Sequence, residues 1–274
     1  MTAQQISTFQ EAVWQYYQVH GRHDLPWRQA EPDGSYDPYK IVVSELMLQQ
    51  TQVPRVIPKF AIFVAAFPSF PALAHAPLAE VLQVWSGLGY NRRAKFLRQS
   101  AQIVTEQCGG AIPRDRADLV ALAGIGFHTA GAILAYAFNE PVVFIETNIR
   151  TVFIHHFFAD REKVADAELL PLIEQTIPKG RAREWYWALM DYGTYLKQTV
   201  GNKSQASASY TKQSAFHGSR RQIRGQVLKL LGPAPQTLAA LQQALPDERL
   251  EGVLADLASE GFIEKNGAQY RLGS

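Results

Sequence analysis

The sequence predicts a mainly α-helical protein that ends in a small winged-helix-like unit. Three observations carry this. Apolar residues recur at helical spacing along most of the 274 residues. Prolines and glycines cut that pattern into short segments. Near the end, three helical patterns are followed by one alternating stretch. With 47% of residues apolar, the chain can bury a sizeable core, and its length suits two domains.

The elements follow in order. Thr8 to Val19 carries Phe9, Val13, Trp14 and Tyr17 on one helical face. Asp37-Pro38 marks a helix start, with Asp as N-cap and Pro in the first turn. Tyr39, Val42, Val43 and Leu46 form one stripe, and Ile41 and Leu48 lie opposite, so this helix is buried nearly all round. Pro54 and Pro58 are expected to break the next segment. Helices are also expected over Thr129–Phe138, Asn148–Phe158 and Arg183–Leu196, with Trp185, Tyr186 and Trp187 as core. Residues 201–219 are polar and read as a linker. Helices over Arg220–Leu231, Gln236–Leu245 and Asp247–Glu260 precede an alternating stretch, Phe262–Leu272, with Asn266-Gly267 as its turn.

Composition narrows the function. The single cysteine, Cys108, excludes a disulfide framework and an all-cysteine iron–sulfur site. No apolar run has the length of a membrane span, and Met1 to Gln5 has no signal-like leader. A soluble, cytoplasmic protein is expected. The formal charge is +2, but it is unevenly spread. Between Asp191 and Asp247 there are seven basic residues and no acid, leaving 20 basic against 25 acidic residues elsewhere. That asymmetry points to a polyanion partner, a solvated linker being the plainer alternative.

Three motifs carry chemistry. Leu119 to Ile133 reads as helix, Gly124-Ile125-Gly126, then a helix of small residues beginning near Thr129. The glycines allow a tight turn, Ile125 anchors it, and the backbone N–H groups at the second helix start suit a phosphate. This is the helix–hairpin–helix pattern of DNA-backbone readers. Next, Glu45 lies on the apolar helix, followed by Gln49, Gln50, Thr51 and Gln52. A buried carboxyl without a cation holds its proton to higher pH and suits general acid–base work. Third, an apolar run ends in Glu146-Thr147-Asn148 at a helix start, which favours an ionised Glu146. One protonated and one ionised carboxyl suit cleavage of a glycosidic bond through an oxocarbenium-like state.

On these motifs, with Leu25 to Arg28, Trp85 to Tyr90 and Met190 to Gly193, residues 6 to 200 resemble the helix–hairpin–helix (HhH-GPD) DNA glycosylases, and within them the MutY-like adenine glycosylases. The resemblance implies a six-helix domain over about 24–145, a second helical domain from 1–23 plus 146–200, and an active-site cleft between them. Residues 201–219 would be a basic linker and 220–274 the winged-helix-like domain. By the same resemblance, Glu45 protonates the departing base and helps activate water. Glu146 falls on an aspartate that stabilises the sugar cation, one methylene longer here. Asn148 falls on a supporting asparagine. Gln50 and Tyr90 push into the base stack and help extrude the target.

The departures from the family pattern matter as much. The Schiff-base lysine of the lyase members falls on His128, so base removal without strand cleavage is expected. His128 can contact the sugar or water, or bind phosphate. The four cluster cysteines fall on Lys197, Ser204, Ser207 and Gln213, so no [4Fe-4S] cofactor and no metal is expected. The basic stretch, with Lys197, Lys203, Lys212, Arg220 and Arg221, would then bind the DNA backbone, as would Arg28, Gly124, Ile125, Gly126 and Thr129. A counterpart of the domain with which MutY enzymes recognise 8-oxoguanine is not expected, the winged-helix-like unit standing in its place. The expected partner is double-stranded DNA with a mispaired or damaged base, bound by a monomer. Adenine opposite 8-oxoguanine or guanine is the first candidate, and thymine or uracil opposite guanine the rival. A non-catalytic DNA-binding regulator is the alternative outside enzymes. Against it, the third helix of the C-terminal unit carries Asp247, Glu248, Glu251, Asp256 and Glu260. Phosphate would repel it, so a packing or protein-contact role is expected.

Overall fold

The computed structural model describes residues 1–212 and 215–273. Among the described residues the helices are α1 (Ala3–His20), α2 (Pro38–Leu48), α3 (Val53–Ala66), α4 (Phe70–His75), α5 (Leu78–Trp85), α6 (Arg92–Gln107) and α7 (Arg116–Ala121). They continue with α8 (Phe127–Phe138), α9 (Thr147–Phe157), α10 (Asp166–Thr176), α11 (Ala182–Thr199), α12 (Arg220–Leu231), α13 (Leu238–Ala244) and α14 (Leu250–Ser259). Three short strands, β1 (Gln236–Thr237), β2 (Ile263–Asn266) and β3 (Gln269–Leu272), complete the fold. No helix among the described residues is long and apolar enough to cross a membrane.

Local chemistry sets the helix ends. Thr2 and Gln5 form a reciprocal capping box at α1. The Asp37 carboxylate accepts from the Tyr39 N–H at 2.8 Å, as the Asp-Pro pair predicts. Pro58 corrects the expected break, because it lies inside α3. It falls close to the helix start, and the remaining apolar face outweighs one missing hydrogen bond.

The chain folds into two compact units whose bounds differ from those expected. The first comprises residues 1–45, 113–121 and 125–212. Its core joins Phe9 and Val13 of α1 to Ile149 and Phe153 of α9, Ile173 of α10, and Trp185 and Tyr186 of α11. The Phe9 and Trp185 rings meet nearly edge-on, with centroids 5.8 Å apart. Each such side chain contributes about 2–3 kcal/mol on full burial.

The second unit comprises residues 46–112, 122–124 and 213–274. Phe63 of α3 and Trp85 of α5 pack at 5.7 Å, both fully buried. The C-terminal unit adds α12 to α14 and a sheet of order β1-β3-β2, all antiparallel. Ile263 pairs with Leu272 and Asn266 with Gln269. The hairpin turn is therefore Gly267-Ala268, one residue beyond the expected Asn266-Gly267. Gly267 takes the left-handed backbone there, at φ +58°.

Glu260, just past α14, ties this unit together. It accepts from Arg92 of α6 at 3.0 and 2.7 Å and from Arg224 of α12 at 3.0 and 2.7 Å. Lys95 donates to its carbonyl. Arg220 pairs with Asp256 at 2.7 Å. Asp256 of α14 and Glu260 just past it thus face arginines of their own unit, in line with packing, one of the two roles expected for this helix.

Candidate active site

Glu45 stands on α2 among side chains that are almost fully buried: Ile41, Val42, Val43, Leu46 and Met47. It keeps partial contact with solvent although it lies deep among protein atoms. Burial, then the negative charge of Glu146, pushes its carboxyl well above the usual carboxylate range, with Arg28 opposing.

Glu146 is brought to Glu45 by a braced segment. Tyr186 Oη donates to the Val142 carbonyl at 2.8 Å, and Arg116 donates to that of Val143 at 3.0 Å. The Ile145 N–H donates to His128 Nδ1 at 3.3 Å. Glu146 is then the N-cap of α9, without a side-chain cap bond. The expectation that the helix start alone keeps it ionised needs correction. Burial pushes its carboxyl up as well, and Arg150, then Lys197, oppose. Two cations oppose the rise at Glu146 and one, Arg28, opposes it at Glu45, so the stronger upward push falls on Glu45.

Asn148 lies in the first turn of α9 and accepts from Lys197 Nζ at 2.6 Å. Gly193 of α11 makes that approach possible. A Cβ there would stand 2.8 Å from the Asn148 carbonyl carbon and collide with its oxygen. Arg150 is held by Asp166 at 2.8 and 2.7 Å. His128 is half-buried, and burial, then Arg150, pushes its imidazole below its ordinary value. It is a neutral brace for the backbone just before Glu146.

Two expected DNA contacts are corrected. Arg28 is 7% exposed and donates to both oxygens of Asp191, at 2.8 and 3.0 Å, so it cannot present its charge to a phosphate. Lys197 is turned inward onto Asn148. The hairpin candidates keep the expected geometry. Gly124 has φ +78°, and a Cβ would stand 2.9 Å from Phe96 Cβ. Ile125 is 3% exposed, while Gly126 caps α8 without a side-chain bond and the helix start, with Thr129 in its first turn, faces solvent.

The second unit gathers other candidates. An open groove of about 1650 Å³ is lined by Gln50, Tyr90, Arg220 and Arg221, together with Phe216 and Lys229. Arg221 donates to the Tyr90 hydroxyl and lies 5.4 Å from its ring centroid. Phe216 is 55% exposed and escaped the sequence reading because one aromatic in a polar stretch has no periodicity to mark it. Gln50 and Tyr90 both take left-handed backbone, at φ 56° and 49°. Arg93, also missed, holds both turns. It donates to the carbonyls of Leu46 and Met47 at 2.7 Å, Gln49 at 2.6 Å and Gly89 at 3.0 Å.

The stretch expected as a linker is folded in its first part. Lys203–Ala206 form a 3₁₀ turn, and Ser204 and Ser207 are buried. The Val164 N–H donates to the Ala206 carbonyl and the Ala208 N–H to that of Val164, both at 2.8 Å. Lys203 is half-buried and Lys212 exposed. Lys197, Ser204 and Ser207 offer no thiolate, and Gln213 lies outside the described residues. These side chains do not fit an iron–sulfur cluster. Among the described residues, no group of three or more His, Cys, Asp or Glu can hold a metal ion.

Comparison with known proteins identifies the family. Residues 43–175 match the HhH-GPD superfamily of base excision DNA repair proteins. The adenine DNA glycosylase of Mycolicibacterium smegmatis is 31% identical over 270 residues, covering 90% of this chain and 89% of that protein. That of Mycobacterium tuberculosis H37Rv is 34% identical over 271 residues, covering 88% and 86%. That of Buchnera aphidicola subsp. Baizongia pistaciae is 35% identical over 189 residues, with 69% of this chain and 52% of that protein covered. The chain thus spans about half the length of the Buchnera relative. Two solved structures share the fold. One is a thermostable thymine-DNA glycosylase, with a TM-score of 0.59, 24% identity, and 69% and 86% coverage. The other is endonuclease III in a non-covalent DNA complex, with a TM-score of 0.61, 19% identity, and 73% and 89% coverage. The chain belongs to the HhH-GPD superfamily of base excision DNA repair proteins and, within it, to the adenine DNA glycosylase family.

Proposed function

We propose that this protein removes adenine opposite 8-oxoguanine or guanine from double-stranded DNA by hydrolysing the N-glycosidic bond, without cutting the strand. The observation that carries this is the buried Glu45–Glu146 pair, in which burial and the Glu146 charge push the Glu45 carboxyl up while Arg150 and Lys197 oppose the rise at Glu146. Glu45 delivers the proton to the departing base and then accepts one from the attacking water. Glu146 stabilises the positive charge that develops on the sugar. Asn148 fixes the geometry beside it. His128 is not an amine nucleophile, which supports hydrolysis over lyase chemistry.

The names of the relatives support adenine over thymine or uracil. Gln50 and Tyr90 act as the wedge that replaces the extruded base, and the amides starting α8 hold a phosphate. Duplexes carrying A:8-oxoG, A:G, T:G and U:G pairs, treated with hot alkali to reveal abasic sites, test the reading. Cleavage at adenine that depends on alkali is expected. Product only from T:G or U:G would overturn the substrate, and strand breaks without alkali would overturn the hydrolytic assignment.

A further inference from the structure

Lys197 differs from the rest of the acid-free stretch in where it points. It lies near the end of α11, half-buried, with Nζ 2.6 Å from Asn148 Oδ1. Gly193, one turn earlier, lets α11 close on α9 at Asn148. Asn148 follows Glu146 by two residues, and the ammonium and that carboxylate attract each other.

The two cations acting on Glu146 are not equivalent. Arg150 already forms a two-point bond with Asp166. Lys197 forms no ion pair within bridging distance among the described residues, and its hydrogen-bond partner is a neutral amide. Glu146 is the charged group that acts on Lys197.

We propose that Lys197 is a positioning residue for base excision: its ammonium fixes the Asn148 side chain and keeps negative charge on Glu146 where the sugar cation forms. The proposal rests on the role given above to that acid. Burial pushes the Lys197 ammonium down to about 8, with Glu146 opposing. The group is charged at neutral pH and discharges in mildly alkaline solution. Once neutral, it leaves Glu146 with the already engaged Arg150, and the acid's affinity for a proton climbs.

The test uses the full chain with Lys197→Gln and Lys197→Arg, in single-turnover excision of adenine opposite 8-oxoguanine from pH 6 to 9.5. Affinity for the same duplex is measured alongside. Lys197→Gln is expected to slow the chemical step about 10- to 100-fold while affinity stays within about twofold. The part of the alkaline fall in rate that comes from Lys197 discharge, expected near pH 8 in the parent protein and separate from Glu45 ionisation, should also be absent. Lys197→Arg should restore most of the rate and move that fall out of range. A slowdown equal at every pH, with lost thermal stability, would reduce Lys197 to a structural brace. An unchanged rate with weaker binding and a shallower salt dependence would make it a phosphate contact. If the parent protein excises no adenine, the functional reading fails, and carboxyl-carbon NMR still decides this proposal. The apparent midpoints of the Glu45–Glu146 pair must rise in Lys197→Gln, and unmoved midpoints would overturn it.

Discussion

Arg28 and Asp191, far apart in sequence, are joined by two parallel hydrogen bonds of 2.8 and 3.0 Å, and Arg22 adds three more, from its backbone N–H at 2.8 Å and from its guanidinium at 2.7 and 2.5 Å. Burial pushes the Asp191 carboxyl up, but the bonds from Arg28 and the charges of Arg28 and Arg22 outweigh it and hold it below its usual range. Asp191→Asn leaves the Arg28 charge buried and unpaired. It should lose about 3–5 kcal/mol in urea unfolding. Because the folded carboxyl binds its proton less tightly than the unfolded one, this support is present above the ordinary aspartate range and is lost as pH falls through the folded value.

Glu45 carries the opposite sign. Its folded carboxyl holds its proton more tightly than the unfolded one. Stability therefore falls as pH rises from the ordinary carboxylate range to the raised value. Glu45→Gln cannot ionise, so it should melt above the parent protein at pH 7.5 and level with it near pH 3.5. Its excision rate should drop by about 10²- to 10⁴-fold. A variant that is equally active, or less stable at pH 7.5, would contradict the protonated-acid role.

Gln50 stores backbone strain at φ 56°. Gln50→Gly relieves it, stabilising the fold by at most about 1 kcal/mol, while removing the wedge. Excision from duplex DNA should fall about tenfold or more, with single-stranded substrate less affected. Parallel melting and kinetic measurements check both halves.

Gly193→Ala places a methyl group against the Asn148 backbone. Separation of α11 from α9 should cost about 1–3 kcal/mol. It should also slow excision, because Lys197 and Asn148 part. Thermal melts and single-turnover rates read the two effects.

Glu260 is clamped by Arg92 and Arg224, whose hydrogen bonds pull its carboxyl down to about 2 against the cost of burial. Its stabilisation is present above pH 4.5 and is lost as pH falls toward 2. Glu260→Gln should remove about 1–2 kcal/mol at pH 7, allowing for solvent screening, and flatten that acid limb. Denaturant melts from pH 2 to 7 measure it.

Much of the site was legible in sequence, for a physical reason. A carboxyl on an otherwise apolar helix stands out, so Glu45 declared itself, and the Glu-Thr-Asn at a helix start marked Glu146 and Asn148. The hairpin spoke through its glycines. What could not be read were side chains whose meaning lies in distant partners. Arg28 looked like a phosphate contact because nothing local announces Asp191. Arg93 and Gly193 have no periodic signature. Lys197 belonged to a run whose composition suggested solvent, yet it points inward. The polar residues after 201 looked loose because serine is common in linkers, although here their backbone makes the bond.

That backbone stitch between Val164 and the Ala206–Ala208 segment has one further consequence. The closure is made of peptide amides and carbonyls, which neither oxidise nor exchange with chelators. Peroxide, nitric oxide or iron starvation should therefore leave the closure of this segment intact.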